Sequence, residues 1–199
     1  MALSLSAWLS CADPLRSADA IFVLAGRESR KHYGLQLFRQ GTSPRILFSV
    51  SRFEIRRFSK MQLPVPLDLL KIAADVPPPR RHYFVLFEAG KVEVEYVEPG
   101  RFGTLTEIKS LARWLNKNPK IESLLIISTG THLRRVRLCC RSLLGTNIQR
   151  ALVAAPDSPP SENDDRPGMF SSRVAELEEL SKVALYWLLL KLLPHPNAG

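Results

Sequence analysis

The sequence predicts an α/β fold in which helices cover both faces of one mostly parallel sheet. Short apolar runs alternate along the chain with longer segments of helical periodicity, the pattern of chains that build parallel sheets. Residues 124–127 are four large aliphatics in succession, which is typical of a strand buried on both faces. A chain of 199 residues can bury one such core. We therefore expect a single α/β domain over residues 1–199.

The first two strands are predicted from compact apolar runs at residues 20–24 and 45–50. Between them, an apolar stripe that ends at Phe38 predicts a helix over residues 29–40, and Gly41 is a typical helix stop. After the second strand comes a basic amphipathic segment at residues 52–61. The prolines that follow predict mostly loop over residues 62–81, with a short helix near residues 67–74.

A β-hairpin is predicted from two β-rich runs, residues 83–87 and 92–97, joined by residues 88–91. The second run alternates valines with Glu93 and Glu95, so one of its faces should be wet. This hairpin would be an insertion between the parallel strands.

The second half of the chain returns to strand–helix alternation. Thr104 and Glu107 form a capping-box pattern at the start of a helix predicted over residues 104–117. The buried strand at residues 123–128 leads into a helix that reaches Leu144, and a last strand is expected at residues 148–155.

The end of the chain is predicted to contain a loop and a long helix. Residues 156–168 are rich in Pro, Ser and Asp and can form a loop that acts as a lid. Residues 170–193 should form a closing helix that packs on the core. Its apolar run at residues 183–193 is too short to span a membrane, and an interfacial anchor is the alternative to core packing.

The net charge limits the classes of binding partner to expect, and the cysteine content indicates the cellular compartment. The formal charge of +9 suits a small anionic ligand, nucleic acid or an acidic membrane surface. Three cysteines without framework spacing indicate reduced thiols and a cytoplasmic chain. The N-terminal residues lack the basic region of a signal peptide.

The strongest candidate site follows the buried strand at residues 123–128. Ser128, Thr129 and the residues after them would supply helix caps, and His132 and Arg135, three residues apart, would be side by side at the helix start. The carboxyl ends of parallel strands bind ligands, and helix N-termini attract anions. The same residues also fit a capped helix with solvated charges, and the sequence leaves both interpretations open.

Four motifs occur in the order found in a known protein family. They are a strand and Gly turn at residues 19–26 with Arg30, Gly34 and Gly41; Ser49-Val50-Ser51 with Glu54; Thr104 with Glu107; and Ser128-Thr129 with His132 and Arg135. On these motifs, residues 19–155 resemble the DUF218 family, also called the ElyC/SanA/YdcF family. The resemblance implies a Rossmann-like three-layer sandwich with a cleft at the strand ends.

The resemblance also implies a role linked, in some members, to bacterial envelope biogenesis. Many of those members carry an N-terminal membrane helix, for which this sequence shows no candidate. The chain departs from the family where Ser49 and Ser51 surround Val50 in place of a Ser-Gly-Gly turn, and where Ala25 stands for a glycine. Side chains at these positions predict a smaller pocket or a different ligand.

The candidate site residues fall into two groups. The candidate catalytic residues are His132 and Glu107, and the candidate ligand-binding residues are Gly26, Arg30, Ser49, Ser51, Thr104, Ser128, Thr129 and Arg135. His132 can act as acid or base near neutral pH, and arginines can bind phosphate or carboxylate in bidentate fashion. Each also has a structural interpretation: a backbone-bonded histidine, a capping-box Glu107, and arginines that are solvated charges.

The expected ligand is a small anion, nucleotide-like or phosphorylated, and the cofactor is unknown. Neither metal-ligand spacing nor a P-loop is present. The alternative is a non-catalytic basic module that uses two arginine-rich runs, near residues 52–60 and 134–141, on nucleic acid or acidic membrane. We do not expect nucleic acid, because the chain has no aromatic-interleaved basic stretch. The oligomeric state is open.

Overall fold

The computed structural model describes residues 5–98, 100–156 and 170–192. Six strands form one sheet, and helices cover both of its faces, so the predicted α/β class is confirmed. The proposed lid falls almost wholly on residues 157–169, which lie outside the described residues.

The sheet has the order β4-β3-β2-β1-β5-β6. In chain order the strands are β1 (Ala20–Val23), β2 (Arg45–Ser51), β3 (His82–Glu88), β4 (Lys91–Tyr96), β5 (Ser123–Thr129) and β6 (Gln149–Ala155). β2, β1, β5 and β6 are parallel, whereas β3 and β4 form the predicted antiparallel hairpin at one edge. On β4 the valines are half-buried while Glu93 and Glu95 are exposed, as the alternation predicted.

The helices connect the strands as expected, apart from one helix at the N-terminal end. They are α1 (Leu5–Leu9), α2 (Glu28–Arg39), α3 (Ile55–Phe58), α4 (Leu69–Ile72), α5 (Gly103–Lys117), α6 (Leu133–Leu143) and α7 (Phe170–Leu192). Short 3₁₀ turns occur at Pro78–Arg80 and Gly130–His132. The sequence did not predict α1, which packs beside α6 and α7.

Two hydrophobic cores flank the sheet. On one face α2, α3 and α4 bury residues such as Leu35 and Phe58 against β1, β2 and β5. On the other face α5, α6 and α7 bury residues such as Leu111, Val136 and Tyr186. The chain therefore has three layers, and each strand face is covered by a different set of helices.

A crevice forms where the direction of the chain across the sheet reverses. β1 pairs with β2 on one side and with β5 on the other, and the helices that follow β1 and β5 lie on opposite faces. Such a switch point is where open parallel sheets bind ligands. The loops after β1 and β5 are thereby brought together above the carboxyl ends of the strands.

The closing helix α7 packs on the core with one side only. Tyr186 and Glu179 are buried on its inner side, whereas Leu177, Trp187 and Leu188 are about half-exposed on the outer side. Core packing and a free apolar face thus coexist in one helix. Within the described residues, none of the helices is both long and apolar enough to cross a bilayer.

Candidate functional site

A cleft of about 290 Å³ lies above the carboxyl ends of β1 and β5. Its walls come from the loops after these strands, from the starts of α5 and α6, and from α7. The candidate residues that line it are Gly26, Arg30, Thr104, Glu107, Ser128, His132 and Arg135, together with Tyr186. Arg30, Glu107 and His132 therefore share one cleft rather than lying on separate faces.

The turn after β1 is held by two buried carboxylates. Oε1 of Glu107 accepts the Ala25 N–H at 2.8 Å, and Oε1 of Glu54 accepts the Gly26 N–H at 2.8 Å. In many α/β folds the first N–H groups after β1 bind an anionic ligand. Here side chains of the protein already occupy these donors, so an anion in this cleft has to be bound by other groups.

The buried cation Lys31 balances the charge of Glu54. Lys31 donates to Glu54 at 2.5 Å and to the Leu24 carbonyl at 3.1 Å. Burial lowers the pKa of Lys31, and the Glu54 carboxylate opposes that shift. Burial alone would raise the pKa of Glu54, but Lys31 and Ser51 hold it below its ordinary value. The Glu54 carboxylate is therefore ionised at neutral pH and opposes the loss of charge at Lys31.

Arg30 is tied to both strand ends. Its Nη1 donates to the Ala25 carbonyl at 2.5 Å, and its Nη2 donates to Oγ1 of Thr129 at 2.9 Å. With 6% of its surface exposed, Arg30 is not the solvated charge that the sequence also allowed. Gly26 has φ of +125°, and a Cβ there would lie 2.9 Å from Nη1, so glycine lets the guanidinium pack against the turn.

The capping-box interpretation of Thr104 and Glu107 is wrong. α5 begins at Gly103 behind Phe102, without a side-chain cap, because Glu107 points at the turn after β1. Thr104 instead acts on the phenol of Tyr186: burial raises the pKa of Tyr186, and hydrogen bonding from Thr104 opposes that shift. A long-range contact has replaced the local one, and it places Glu107 in the wall of the cleft.

The expected hydroxyl cap after β5 is also wrong. The chain makes a 3₁₀ turn at Gly130–His132, and neither this turn nor α6 has a side-chain cap. Ser128, the penultimate residue of β5, is 1% exposed, and its Oγ has no hydrogen-bond partner among the described residues. This hydroxyl therefore lines the cleft without bonding to the described fold.

His132 and Arg135 lie side by side, as their spacing predicted. Nη2 of Arg135 is 2.7 Å from Nδ1 of His132. Both reach Glu179 on α7: its Oε2 is 3.1 Å from Nδ1 and 3.5 Å from Nη2. Burial lowers the pKa of His132, and Glu179 opposes this shift. The Arg135 side chain is 12% exposed, so it is not a surface charge.

Unpartnered polar atoms concentrate around this cleft. Arg30 Nε, Arg135 Nε and Ser128 Oγ are buried and have no hydrogen-bond partner in the described part of the chain. Buried polar groups in native proteins are nearly always satisfied, so each exception calls for an explanation. All three can donate, and all three belong to residues that line the same cleft.

Three candidate residues do not line the cleft. Oγ of Ser49 lies 2.7 Å from Nε2 of His82, and Ser51 donates to Glu54 at 2.7 Å. Thr129 serves Arg30. The three hydroxyls therefore bond to His82, Glu54 and Arg30 behind the cleft. Where the family pattern has two glycines, the chain has Val50 and Ser51, and Glu54 folds back over this turn.

Sequence reasoning missed the residues that the chain brings in from a distance. Lys31 and Tyr186 looked like ordinary helix residues, and His82 stood at the start of a strand. Glu179 was indistinguishable from the neighbouring Glu176 and Glu178. Glu54 was noted from the family pattern alone. No local spacing marks these positions, since their partners are remote in sequence.

The second basic run does not form one phosphate-binding face. Arg134 lies over the Trp8 ring at 4.3 Å, Arg137 pairs with Asp13 at 2.8 Å, and Arg135 faces the cleft. Their helix turns these side chains in different directions, which spreads the charge. This arrangement disfavours the nucleic-acid alternative for that run.

Among the described residues, the metal-ligating side chains and the buried cysteine thiols form neither a metal site nor a reactive thiol. In residues 5–98, 100–156 and 170–192, no group of three or more metal-ligating side chains could hold an ion. The three cysteines are free. Burial raises the pKa of Cys139 and of Cys140 to about 12, so these thiols are not poised as nucleophiles.

Comparison with known proteins assigns the chain to no family. No family model matches it, and no curated protein or solved structure shows significant similarity to it. The function has to be argued from the cleft itself.

Proposed function

We propose that the cleft binds a small anionic ligand, a nucleotide-like or otherwise phosphorylated compound. The observation that supports this most directly is the set of unpartnered buried donors, Arg30 Nε, Arg135 Nε and Ser128 Oγ. A phosphate or carboxylate accepts several hydrogen bonds at once and would satisfy them. Because Glu54 and Glu107 occupy the N–H groups after β1, recognition relies on side chains rather than on that turn.

His132 is the proposed acid or base of the site, and the proposed activity is catalytic. Its ring borders the cleft next to Arg135, and its pKa is lowered by burial, so the neutral form dominates at pH 7. Glu107 lines the same cleft and fixes the turn at Ala25. Residues from each of the four motifs that resemble the DUF218 family lie around this site or directly behind it. We propose divergent kinship with that family, including its link to envelope biogenesis.

A thermal-shift screen of nucleotides, S-adenosyl compounds and sugar phosphates would identify the ligand. A compound that binds only the folded state raises the unfolding temperature. At a free concentration about one hundred times its Kd, it adds about 2.7 kcal/mol to the free energy of unfolding. Neutral analogues of each hit should have no effect. If no anionic compound shifts the transition, the proposal fails.

The Arg135→Ala variant tests the anion site once a ligand is known. Its affinity should fall by about 1.5–3 kcal/mol, the range for a hydrogen bond to a charged group. His132→Ala should reduce turnover more than binding. Arg141→Ala, on the exposed side of the same helix, is the matched control and should leave calorimetric affinity unchanged. Wild-type affinity in Arg135→Ala would contradict the proposal.

A second candidate function, attachment to an anionic membrane surface, is favoured by the outer face of α7. The exposed apolar side chains of this face are Val174, Leu177, Leu180, Leu185, Trp187, Leu188 and Leu192. Lys191 lies 3.9 Å from the Trp187 ring centroid. Tryptophan beside basic residues is typical of membrane interfaces, and the charge of +9 favours acidic lipid over a second copy of the chain.

Co-sedimentation with vesicles tests this second function. The protein should bind phosphatidylcholine vesicles that contain phosphatidylserine, and binding should weaken in high salt. Leu177→Gln/Leu188→Gln should abolish binding, whereas Leu70→Gln/Ile72→Gln, a pair of exposed apolar residues on α4 on the opposite face of the sheet, should not. Concentration-dependent dimers without vesicle binding would identify a second copy as the occupant and contradict the proposal.

A further inference from the structure

Helix α7 delivers a buried carboxylate to the ring of His132. Oε2 of Glu179 lies 3.1 Å from Nδ1, and 6% of the Glu179 side chain is exposed. Burial alone would raise the pKa of Glu179, but His132 and Arg135 hold it below its ordinary value, so the carboxylate is ionised. α7 lies outside the part of the chain that resembles the DUF218 family.

Two groups compete for Nδ1 of His132. Nη2 of Arg135 lies 2.7 Å from it and can only donate, whereas Oε2 of Glu179 can only accept. In the neutral ring, Nδ1 is either protonated and donates to Glu179, or unprotonated and accepts from Arg135. In the first tautomer Nε2 is unprotonated and can accept a proton, whereas in the second Nε2 carries the proton.

The balance of unsatisfied groups favours Glu179. Its Oε1 is met by Lys182 at 3.3 Å, but Oε2 is buried without an aligned donor in the described residues. An ionised buried oxygen without a donor is costly. Arg135 has another favourable contact, because its guanidinium lies 5.4 Å from the Tyr186 ring centroid.

We infer that Glu179 is a positioning residue that holds the Nδ1–H of His132 and presents an unprotonated Nε2 to the cleft. His132 then acts on a bound ligand as a proton acceptor. The use of Nε2 rests on the proposed function, whereas the tautomer is a property of the free protein. The charged groups facing the ring are Arg30 from α2, Arg135 from α6 and Glu179 from α7.

Imidazole ¹⁵N NMR on the full chain reads the tautomer directly. His132→Gln assigns the signal among the four histidines. In the wild type, His132 should be protonated at Nδ1 and bare at Nε2. Glu179→Leu, which leaves no acceptor at this position, should move the ring to the Nε2–H tautomer and lower its titration midpoint, since the carboxylate that favours the charged form is gone. His82 should titrate unchanged in that variant.

Glu178→Leu is the matched control, because Glu178 lies on the same helix and pairs with Lys182 at the surface. It should leave the His132 tautomer as in the wild type. A wild-type Nε2–H tautomer would overturn the inference even if Glu179→Leu fails to fold. An Nδ1–H tautomer that persists in Glu179→Leu would overturn it too.

Titration with inorganic phosphate separates this inference from the proposed function. A wild-type Nδ1–H ring whose signals respond to phosphate supports both. The same tautomer with no response to phosphate, or to any hit of the ligand screen, supports the role of Glu179 and counts against the anionic ligand.

Discussion

The ends of β1 and β5 are neighbours in the sheet, yet their chemistry is opposite. At the end of β1 the N–H groups of Ala25 and Gly26 are bonded by Glu107 and Glu54, and Glu54 is paired with Lys31. Near the end of β5, Ser128 has a buried hydroxyl, and on the helix that follows, Arg135 has a buried Nε, for which the described part of the chain supplies no hydrogen-bond partner.

This difference distinguishes groups that stabilise the fold from groups that are available to bind a ligand. A fully satisfied buried network rigidifies the backbone, and removing one member exposes the others to desolvation without compensation. Unpartnered donors contribute little to folding, and their removal should affect binding instead. Substitutions of the bonded groups should therefore cost stability, and substitutions of the unpartnered donors Ser128 and Arg135 should cost affinity.

Lys31→Met should give the largest effect at the β1 end. It leaves Glu54 buried and uncompensated, and the free energy of unfolding should fall by about 3–5 kcal/mol. Urea unfolding followed by circular dichroism measures the loss. Lys31→Met/Glu54→Gln should recover much of it, because the isolated charge is gone. A loss below about 1 kcal/mol in the single variant would mean that the pair is not a desolvated one.

Acidification should weaken the same end through His82. Burial lowers the pKa of His82 from its ordinary 6.5, so the unfolded chain binds a proton more readily than the folded protein. Stability is then intact above about pH 6.5 and falls as the pH drops below it, by at most about 1.4 kcal/mol per pH unit for one histidine.

Urea unfolding at pH 7, 6 and 5 would test this dependence. His82→Gln keeps a partner for Ser49 and should show a shallower loss between pH 6.5 and 5. His132 contributes in the same direction, so His82→Gln/His132→Gln should be shallower still. Identical slopes in the wild type and both variants would show that the histidines are not buried in the neutral form.

Ser128→Ala should have the smallest effect on stability. It gives the sharpest test of the difference between residues that stabilise the fold and residues that bind the ligand. Within the described residues its hydroxyl makes no hydrogen bond, so stability should stay within about 0.5 kcal/mol of the wild type or rise. Ligand affinity should fall by about 0.5–1.5 kcal/mol. Thr129→Val, one residue later, removes the acceptor of Arg30 and should instead destabilise the fold by about 1–3 kcal/mol. Equal stability losses in the two variants would refute the distinction.

The fold followed from local patterns in the chain. Apolar runs predicted all six strands to within one or two residues, because a strand buried on both faces must be continuously apolar. The hairpin and its wet face followed from alternation on β4. α1 was missed, since its short run of mixed residues has no clear period.

The site followed from the sequence only in part. His132 and Arg135 were paired correctly because both lie within one turn of the chain, where spacing fixes distance. Thr104 and Glu107 were assigned to each other by the same rule, and there it failed. A buried N–H at Ala25 offered Glu107 a better partner than the helix end did. Local pattern rules cannot weigh such competition.

The sequence by itself determined the layers, the strand ends and most of the polar residues that meet there. The tertiary structure decided which of those residues are consumed by the fold and which remain available. Lys31 and Glu54 acquired their roles when α2 and the turn before α3 met on one face of the sheet, and Glu179 when α7 packed against α6 on the other. Buried charges must be matched by whichever groups the packing brings within reach, and that reach is set in space rather than along the chain.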